Sequence, residues 1–508
     1  HVFAGLGRTV YLYEERDGKK KKVRQVLWGD WLEIDDQRSE RDGWIPIVWA
    51  KSDPAKRRDL WVRRDETAKK RPLEIIFVDV GQGDGSVLIT PERDQNERVM
   101  VIDAGEGEHM CHFLDGRFQA YNKGFDFHAA ILTHPDKDHY RGFESIFGNQ
   151  KIGFEKVYHN GLMETPVTGT WEKIGGRFKD TAQGIDYCAR LWETHADVEA
   201  DFSDSSDFGR FEYPPVIHAA LANPEIKEFA MLSTAHGTLE DGRSFMPGFA
   251  PSDGRGYTIE VLGPIVETDS AGTPRLRTFA SNYGKTKNGH SVLLRLEYGK
   301  FSIFFGGDLN RPAEEFILKH YAGMKQEDEL PDHPGPDFDG VVYTARHRLR
   351  SEVMKTCHHG SSDVTDLFLD AVNPACFVIS SGDSEGHVHP RPDLLGRLGR
   401  FGRGESPVIL STELQRSTRE VESRKAVDAL LKLIDTLHDS PTSNRRDRAK
   451  EQIRLLARDN VDVYGAIYVK TDGDRLITAF KYENPSDTKK WFYFEYDILP
   501  GGVLRMTD

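Results

Sequence analysis

Two histidines and two aspartates fall within six positions, His134, Asp136, Asp138 and His139, in the stretch THPDKDHYRG that follows the apolar run 129–132. A solvated turn tolerates Asp and Lys, but imidazoles and carboxylates gathered where a strand ends are what a divalent cation requires. At a strand terminus, i and i+2 can serve one ion, and i+4 and i+5 a second. Asp103, at the end of MVID, approaches from a neighbouring strand and is expected behind the ligands rather than among them. Downstream, His290 opens and Asp308 closes HSVLLRLEYGKFSIFFGGD, two antiparallel strands whose YGK turn returns both residues to one edge. His358 and His359 follow EVMKTC, with His359 taken as the ligand, and His387 and His389 follow CFVISSGD. GQGDG, 81–85, is read first as a turn that needs glycine conformations, with Asp84 a secondary candidate for contact with the site. His109, His112, His128, His159 and His236 have no ordered partners and are assigned structural or solvent-facing places.

Positioning these groups takes layered strands, and the text supplies them. LEIIFVDVGQGDGSVLIT reads as strand, glycine turn, strand, and RVMVIDAGEG as a further buried strand. Strands resume at YTIEVLGP and continue to CFVISSGD, and the chain ends in VYGAIYVKTDGDRLITAFKYE and WFYFEYDIL with DGD as a hairpin turn. Residues 150–255 show little strand periodicity, with a helical patch at DTAQGIDYCARLWETHADV, and are read as an insertion. Further insertions are expected at about 311–350 and 415–459, the latter as two charged amphipathic helices. Residues 1–71 differ in kind: they hold five of the eight tryptophans among short alternating runs broken by charged turns, the pattern of a small antiparallel barrel. ETAKKRP, 66–72, is the expected linker to a second domain, 72–508.

At 508 residues the chain has room for such a division. Its net charge of −14 gives no overall attraction to nucleic acid or anionic lipid. Residues 1–71, however, carry 18 Lys/Arg against 13 Asp/Glu, a net of +5, which leaves −19 for the remainder. Lys20 and Lys21 in GKKKKVR and Arg57 and Arg58 in AKRRDLWVRRD are therefore the candidate phosphate contacts, with the interleaved Trp available to stack on unpaired bases. Cys111, Cys188, Cys357 and Cys376 form no CxxC pair, which excludes a thiolate zinc knuckle and makes a reducing cytoplasm the expected location. No apolar run approaches the roughly 18 residues of a spanning helix.

The ordered series VDVGQGDGSVLI, VIDAG, THPDKDH, GGD, HHGSS and HP resembles the metallo-β-lactamase fold hydrolases, and within them the soluble metallohydrolase domain of ComEC-type competence proteins, over 73 to about 480. The order of a turn glycine before DWLEI, a central GW and a closing WV is similar to bacterial SH3-like domains. The resemblance implies an α+β fold: a four-layered αββα sandwich with helical insertions, preceded by a small all-β SH3-like barrel. It further implies His134, Asp136 and His290 at one divalent cation, Asp138, His139 and His359 at the other, and Asp308 bridging. Two departures stand out. The superfamily has His where this chain has Asp136, which hardens that position towards Mn²⁺ or Mg²⁺ over Zn²⁺. Competence-type domains have Asn near 290, where NGHS offers a histidine.

Two such cations, Zn²⁺ or Mn²⁺ with Mg²⁺ as a further option, lower the pKa of a shared water to roughly 7 and clamp the oxygens of a phosphodiester. Asp138 and Asp103 would orient the resulting hydroxide, and His358 or His389 would hydrogen-bond the phosphoryl group or protonate the leaving group. The expected activity is a metal-dependent phosphodiesterase, foremost a DNA nuclease. A hydrolase of small or cell-envelope phosphodiesters is the second reading. The third is a subunit of a bacterial multi-protein, defence-type complex that meets protein partners through the helical insertions.

Overall fold

The computed structural model describes residues 1–508 except 6–8, 51–54, 119–120, 332–335, 383–388, 405–406, 414–423, 440–441, 443, 451–464, 500–502 and 508. Two large mixed sheets face each other. The first has ten strands, in the order Phe229–Met231, Ile152–His159, Phe125–Leu132, Val99–Ala104, Gly85–Ile89, Leu73–Phe77, Ile467–Thr471, Arg475–Ser486, Lys489–Leu499, Val503–Met506. The second has eight: Thr238–Glu240, Arg243–Phe245, Tyr257–Gly263, Leu293–Tyr298, Phe301–Phe305, Val353–Lys355, Cys376–Ile379, Val408–Ser411.

Side-chain alternation builds the layers. Leu73, Ile75 and Phe77 point inward with Leu88, Met100, Ile102 and Ile131, and meet Val261, Leu294, Ile303, Phe305, Val353 and Val378 of the opposite sheet. Their neighbours Ile76, Val87, Ile89, Val101 and Leu132 point outward and pack under helices His109–Arg117, Phe143–Phe147, His195–Phe202 and Tyr213–Leu221. The second sheet is covered by Arg311–Ala322, Pro336–Leu349, Asp366–Val372 and Pro392–Phe401. The result is a helix, sheet, sheet, helix arrangement of mixed α and β structure.

Three sequence expectations change. Residues 150–255 are not wholly an insertion, because Ile152–His159 runs parallel to Phe125–Leu132 inside the first sheet. The strand's apolar run is interrupted by the exposed Glu155 and half-buried Lys156, so its periodicity is weak. The patch expected to be helical, 180–198, is instead a hairpin, Arg177–Asp180 with Ile185–Cys188, followed by a helix that starts only at Thr194, whose side chain and that of Asp197 form a capping box. The expected insertion at 311–350 instead contributes two outer-layer helices, Arg311–Ala322 and Pro336–Leu349. Of 415–459, the helix Arg424–Asp439 is described, and much of the rest lies outside the described residues.

The first 71 residues form a small all-β module of a four-stranded and a three-stranded sheet around Ala4, Val10, Leu12, Val26, Ile45, Ile47, Leu60 and Val62. Thr67 and Ala68, expected in a linker, pair with Ala4 and Phe3, so the connection to the body is only a few residues long. The module is docked on the outer face of the first sheet. Leu27 and Trp28 join the cluster of Ile76, Tyr468, Ile477 and Trp491. The Gln25 amide oxygen accepts from the backbone N–H groups of Lys490 and Trp491 at 2.7 and 2.8 Å, and the buried Lys470 ammonium donates to the Trp28 carbonyl at 2.7 Å.

Among the described residues no helix is long and apolar enough to cross a membrane.

Candidate metal centre

The parallel halves of both sheets point their C-terminal ends at one place, where ligands gather in open α/β sheets. Val99–Ala104 delivers Asp103, Phe125–Leu132 delivers 133–139, Phe301–Phe305 delivers Asp308, and Val353–Lys355 delivers 358–359. Backbone strain is concentrated here. Asp103, His358 and His359 all have positive φ, at 54°, 50° and 53°, a conformation that costs a non-glycine residue on the order of 1–3 kcal/mol and persists where the surroundings impose it.

The central group is compact. His359 Nε2 lies 3.3 Å from His139 Nε2, 3.1 Å from Asp308 Oδ2 and 3.3 Å from Asp138 Oδ2. His139 Nε2 lies 3.3 Å from Asp308 Oδ1 and 3.9 Å from Asp138 Oδ1. On the other side of Asp308, His134 Nε2 is 3.9 Å from its Oδ2 and 3.8 Å from Asp136 Oδ2. Two ligands each about 2.0–2.1 Å from one tetrahedral ion stand about 3.3 Å apart, so the spacing of the first four groups matches a shared cation.

The donor chemistry fits as well, because each imidazole is tied from behind through Nδ1. His139 Nδ1 is 2.8 Å from Asp103 Oδ2, and His359 Nδ1 faces Asp84 Oδ1 at 3.1 Å and the Ser380 carbonyl at 3.2 Å. For His134 the tautomer follows from proton accounting. Its Nδ1 meets the hydroxyls of Thr133 at 3.1 Å and Ser291 at 3.3 Å. Thr133 already donates to Asp103 at 2.6 Å and Ser291 to the Asn288 carbonyl at 2.7 Å. Neither hydroxyl has a second proton, so His134 Nδ1 is the donor and Nε2 carries the lone pair. That buried Nε2, and the buried Asp308 Oδ1, have no hydrogen-bond partner among the described residues. Ligating histidines held through their second ring nitrogen are the usual support of a metal site.

Electrostatics point the same way. Burial, followed by the neighbouring His139, lowers the His134 imidazole to about 3, so it is neutral at pH 7. Burial also opposes charge on His139 and His359, yet the carboxylates of Asp308 with Asp103 and of Asp308 with Asp84 hold the two well above the ordinary histidine value. Burial works against ionised Asp308 too, but His359 and His139 hold it well below the usual carboxylate range. Without a cation, protons on the two imidazoles balance the carboxylates. A divalent ion would displace them, so affinity should rise with pH.

Asp84 falls within 4.8 Å of the ligand atoms of His139, Asp308 and His359. It nevertheless sits at the Nδ1 edge of His359 and is paired with the buried Lys355 ammonium, so it orients the imidazole rather than facing the shared space. Lys355 also donates to the Gly307 carbonyl at 3.1 Å. The glycine before Asp84 has a specific reason: at Gly83, φ is +102° and a Cβ would lie 1.7 Å from the Asp138 carbonyl oxygen. Gly83→Ala must therefore push the Asp138 backbone away, and metal affinity should drop about 10- to 100-fold, as when a ligand loses its support. Calorimetric metal titration of the variant checks this.

The structure thus brings together His134, Asp136, Asp138, His139, Asp308 and His359, with Asp103 behind His139. Asp136, Asp138, Asp308 and His359 line a cleft of about 380 Å³ whose wall also includes Gln82, Asn288, His358, Ser361 and His389, while His134, His139 and Asp103 are buried beneath it. His358 Nε2 is 4.0 Å from Asp308 Oδ2, and its ring centre is 6.1 Å from that of His389. His387 lies outside the described residues. His290 is not brought to the cluster. It caps the C-terminus of helix Tyr283–Gly289, its Nε2 is 2.7 Å from the Arg277 carbonyl, and its ring packs 4.6 Å from Phe279. Asn288, two residues earlier, lines the cleft instead. Its amide, oriented by its neighbours, donates to Gly284 O at 2.9 Å and Asp136 Oδ2 at 2.8 Å. Asn288, Ser291, Lys287 and Lys355 were missed by sequence reasoning; the asparagine expected near 290 was a signal for Asn288, whereas the lysine inside the apolar EVMKTC marked a position without naming its partner. Lys20, Lys21, Arg57 and Arg58 lie on the N-terminal module and are not among the residues lining the cleft. Lys20 is spent on Glu15 at 3.7 Å and on the rings of Trp44 and Trp61 at 5.1 and 4.8 Å.

No protein-family model matches the chain. Over 116 residues it is 28% identical to the competence protein ComA of Neisseria gonorrhoeae, a stretch that makes up 23% of this chain and 13% of that protein. A crystal structure of the metallo-β-lactamase fold protein YhfI from Bacillus subtilis aligns with 9% identity over 68% of this chain and 98% of that one, at a TM-score of 0.30.

Proposed function

We propose that the chain is a metal-dependent phosphodiesterase of the metallo-β-lactamase fold, and foremost a nuclease acting on DNA. The observation that carries this reading is the convergence of three imidazole Nε2 atoms with the carboxylates of Asp136, Asp138 and Asp308 at the floor of one cleft. Bound divalent cations would supply Lewis acidity and an activated water there. The protein's part is positional: Asp308 stands between the two halves, Asp138 is held by His359, and Asp103 fixes the ring of His139. His358, about one-third exposed, and His389 form the open wall, placed to hydrogen-bond a phosphoryl oxygen or give a proton to the leaving oxygen.

In this reading the basic first 71 residues form an SH3-like module that docks substrate or a protein partner, with Lys21, Arg57 and Arg58 on its surface. Four free thiols suit a cytoplasmic location. The cleft volume of about 380 Å³ also suits a small ligand, which keeps a small phosphodiester as the second reading.

The test is incubation with circular single- and double-stranded DNA, and with a small chromogenic phosphodiester, in Mn²⁺, Mg²⁺ or Zn²⁺. Nuclease action predicts cleaved DNA with a rate that falls steeply as salt rises. Unchanged DNA beside salt-insensitive turnover of the small diester would establish the second reading, and no turnover of either would end both.

A further inference from the structure

The two halves of the site differ in a way the ligand roll alone does not reveal. Around His139 and His359 no Lys or Arg among the described residues pairs with Asp138 or Asp308. Asp136 is treated otherwise. Its Oδ1 pairs with the Lys287 ammonium, while its Oδ2 meets the Asn288 amide at 2.8 Å and stands 3.8 Å from His134 Nε2. Lys287 is not a passing surface residue. It is buried, 7% exposed, and fixed by Glu164 Oε1 at 2.6 Å, by the Pro135 carbonyl at 3.3 Å and by the face of Tyr283 at 4.7 Å. Glu164 in turn accepts the Tyr283 hydroxyl at 2.6 Å.

Resting on the metal reading above, we infer that Lys287 is a built-in counter-cation that makes the two cation positions unequal. The position bounded by His139, His359, Asp138 and Asp308 has two nitrogen donors and two carboxylates that pair directly with no Lys or Arg among the described residues, the nearby Lys355 ammonium being paired with Asp84, and it fills first. The position bounded by His134, Asp136 and Asp308 has one nitrogen donor, a carboxylate already met by an ammonium, and the second share of Asp308. A divalent ion there is repelled by the fixed charge behind Asp136. It binds second and more weakly, and its oxygen-rich set selects a hard cation such as Mn²⁺ or Mg²⁺. This inequality makes the second ion exchangeable, arriving with or leaving after a phosphate-bearing substrate whose oxygens complete its coordination.

Calorimetric titration of the full chain with MnCl₂, with the paramagnetic signal of unbound Mn²⁺ counted in parallel, tests the inference without any activity assay. The wild type should show two steps separated by at least about tenfold in affinity. In Lys287→Met the second step should tighten by at least about tenfold, the scale of one lost charge interaction, while the first stays within about threefold. Glu164→Gln leaves Asp136 as the carboxylate partner of the ammonium and should weaken or preserve the second step. The inference is overturned if Lys287→Met loosens the second step or leaves it unchanged, since Lys287 would then merely hold Asp136 in place. It is equally overturned if the wild type takes both ions in one step, or if Glu164→Gln tightens the second. Absence of any Mn²⁺ uptake by the wild type would instead overturn the metal reading itself, and this inference with it.

Discussion

Asp308→Asn should bind divalent cations at least about 100-fold more weakly than the wild type, and hydrolysis should fall by at least about 10³-fold. The substitution preserves size and removes one charge. Among the described residues, that charge is the one paired with all three imidazoles, at 3.3 Å from His139, 3.1 Å from His359 and 3.9 Å from His134. It is also the leading favourable influence on the raised His139 and His359, so both should titrate lower in the variant. Removing one partner of a buried charged group costs roughly 3–5 kcal/mol, so the metal-free variant should also unfold at lower denaturant. Metal titration and denaturant melts measure the two effects separately. Undiminished metal uptake would show that Asp308 is not shared between the two halves.

The second large effect lies far from the chemistry. Trp28→Ala should destabilise the protein by about 3–5 kcal/mol, the usual loss for a buried aromatic. Trp28 is 6% exposed and fills the junction between the N-terminal module and the first sheet, beside Ile76, Tyr468 and Trp491. Metal uptake should stay at the wild-type level, because no ligand comes from the module. A change below about 1 kcal/mol in equilibrium unfolding would mean that the module is not clasped to the body in this way.

Much of the site was legible because a metal centre at strand ends requires reactive residue types directly after apolar runs. Residues 134–139, Asp308 and His359 all satisfy that, and the structure gathers them. His290 misled for a physical reason. Period-two alternation in SVLLRLEY suggests a strand beginning at the histidine, but Asn282 caps a helix that runs to Gly289, and pairing begins only at Leu293. The helix end turns His290 away from the cleft, into a buried place against Phe279 and the Arg277 carbonyl, and presents Asn288 to the cleft. Lys287 and Lys355 were illegible because lysine is almost never fully buried unless paired, and their partners Asp136, Glu164 and Asp84 are 123 to 271 residues away or hidden in a glycine turn. The layers were legible from the short apolar runs at 73–77 and 99–104, each ending in a polar or glycine turn. The strand at 152–159 was not, since the exposed Glu155 and half-buried Lys156 interrupt its apolar run.

The central claim is that the imidazoles of His139 and His359 and the carboxylates of Asp138 and Asp308 jointly hold a divalent cation. Anomalous diffraction at the manganese edge, from crystals grown with MnCl₂, tests it most directly. A strong peak is expected within the enclosure of His139 Nε2, His359 Nε2, Asp138 and Asp308, with a second, weaker peak between His134 and Asp136. Density free of any anomalous peak within that enclosure, at saturating Mn²⁺, would contradict it.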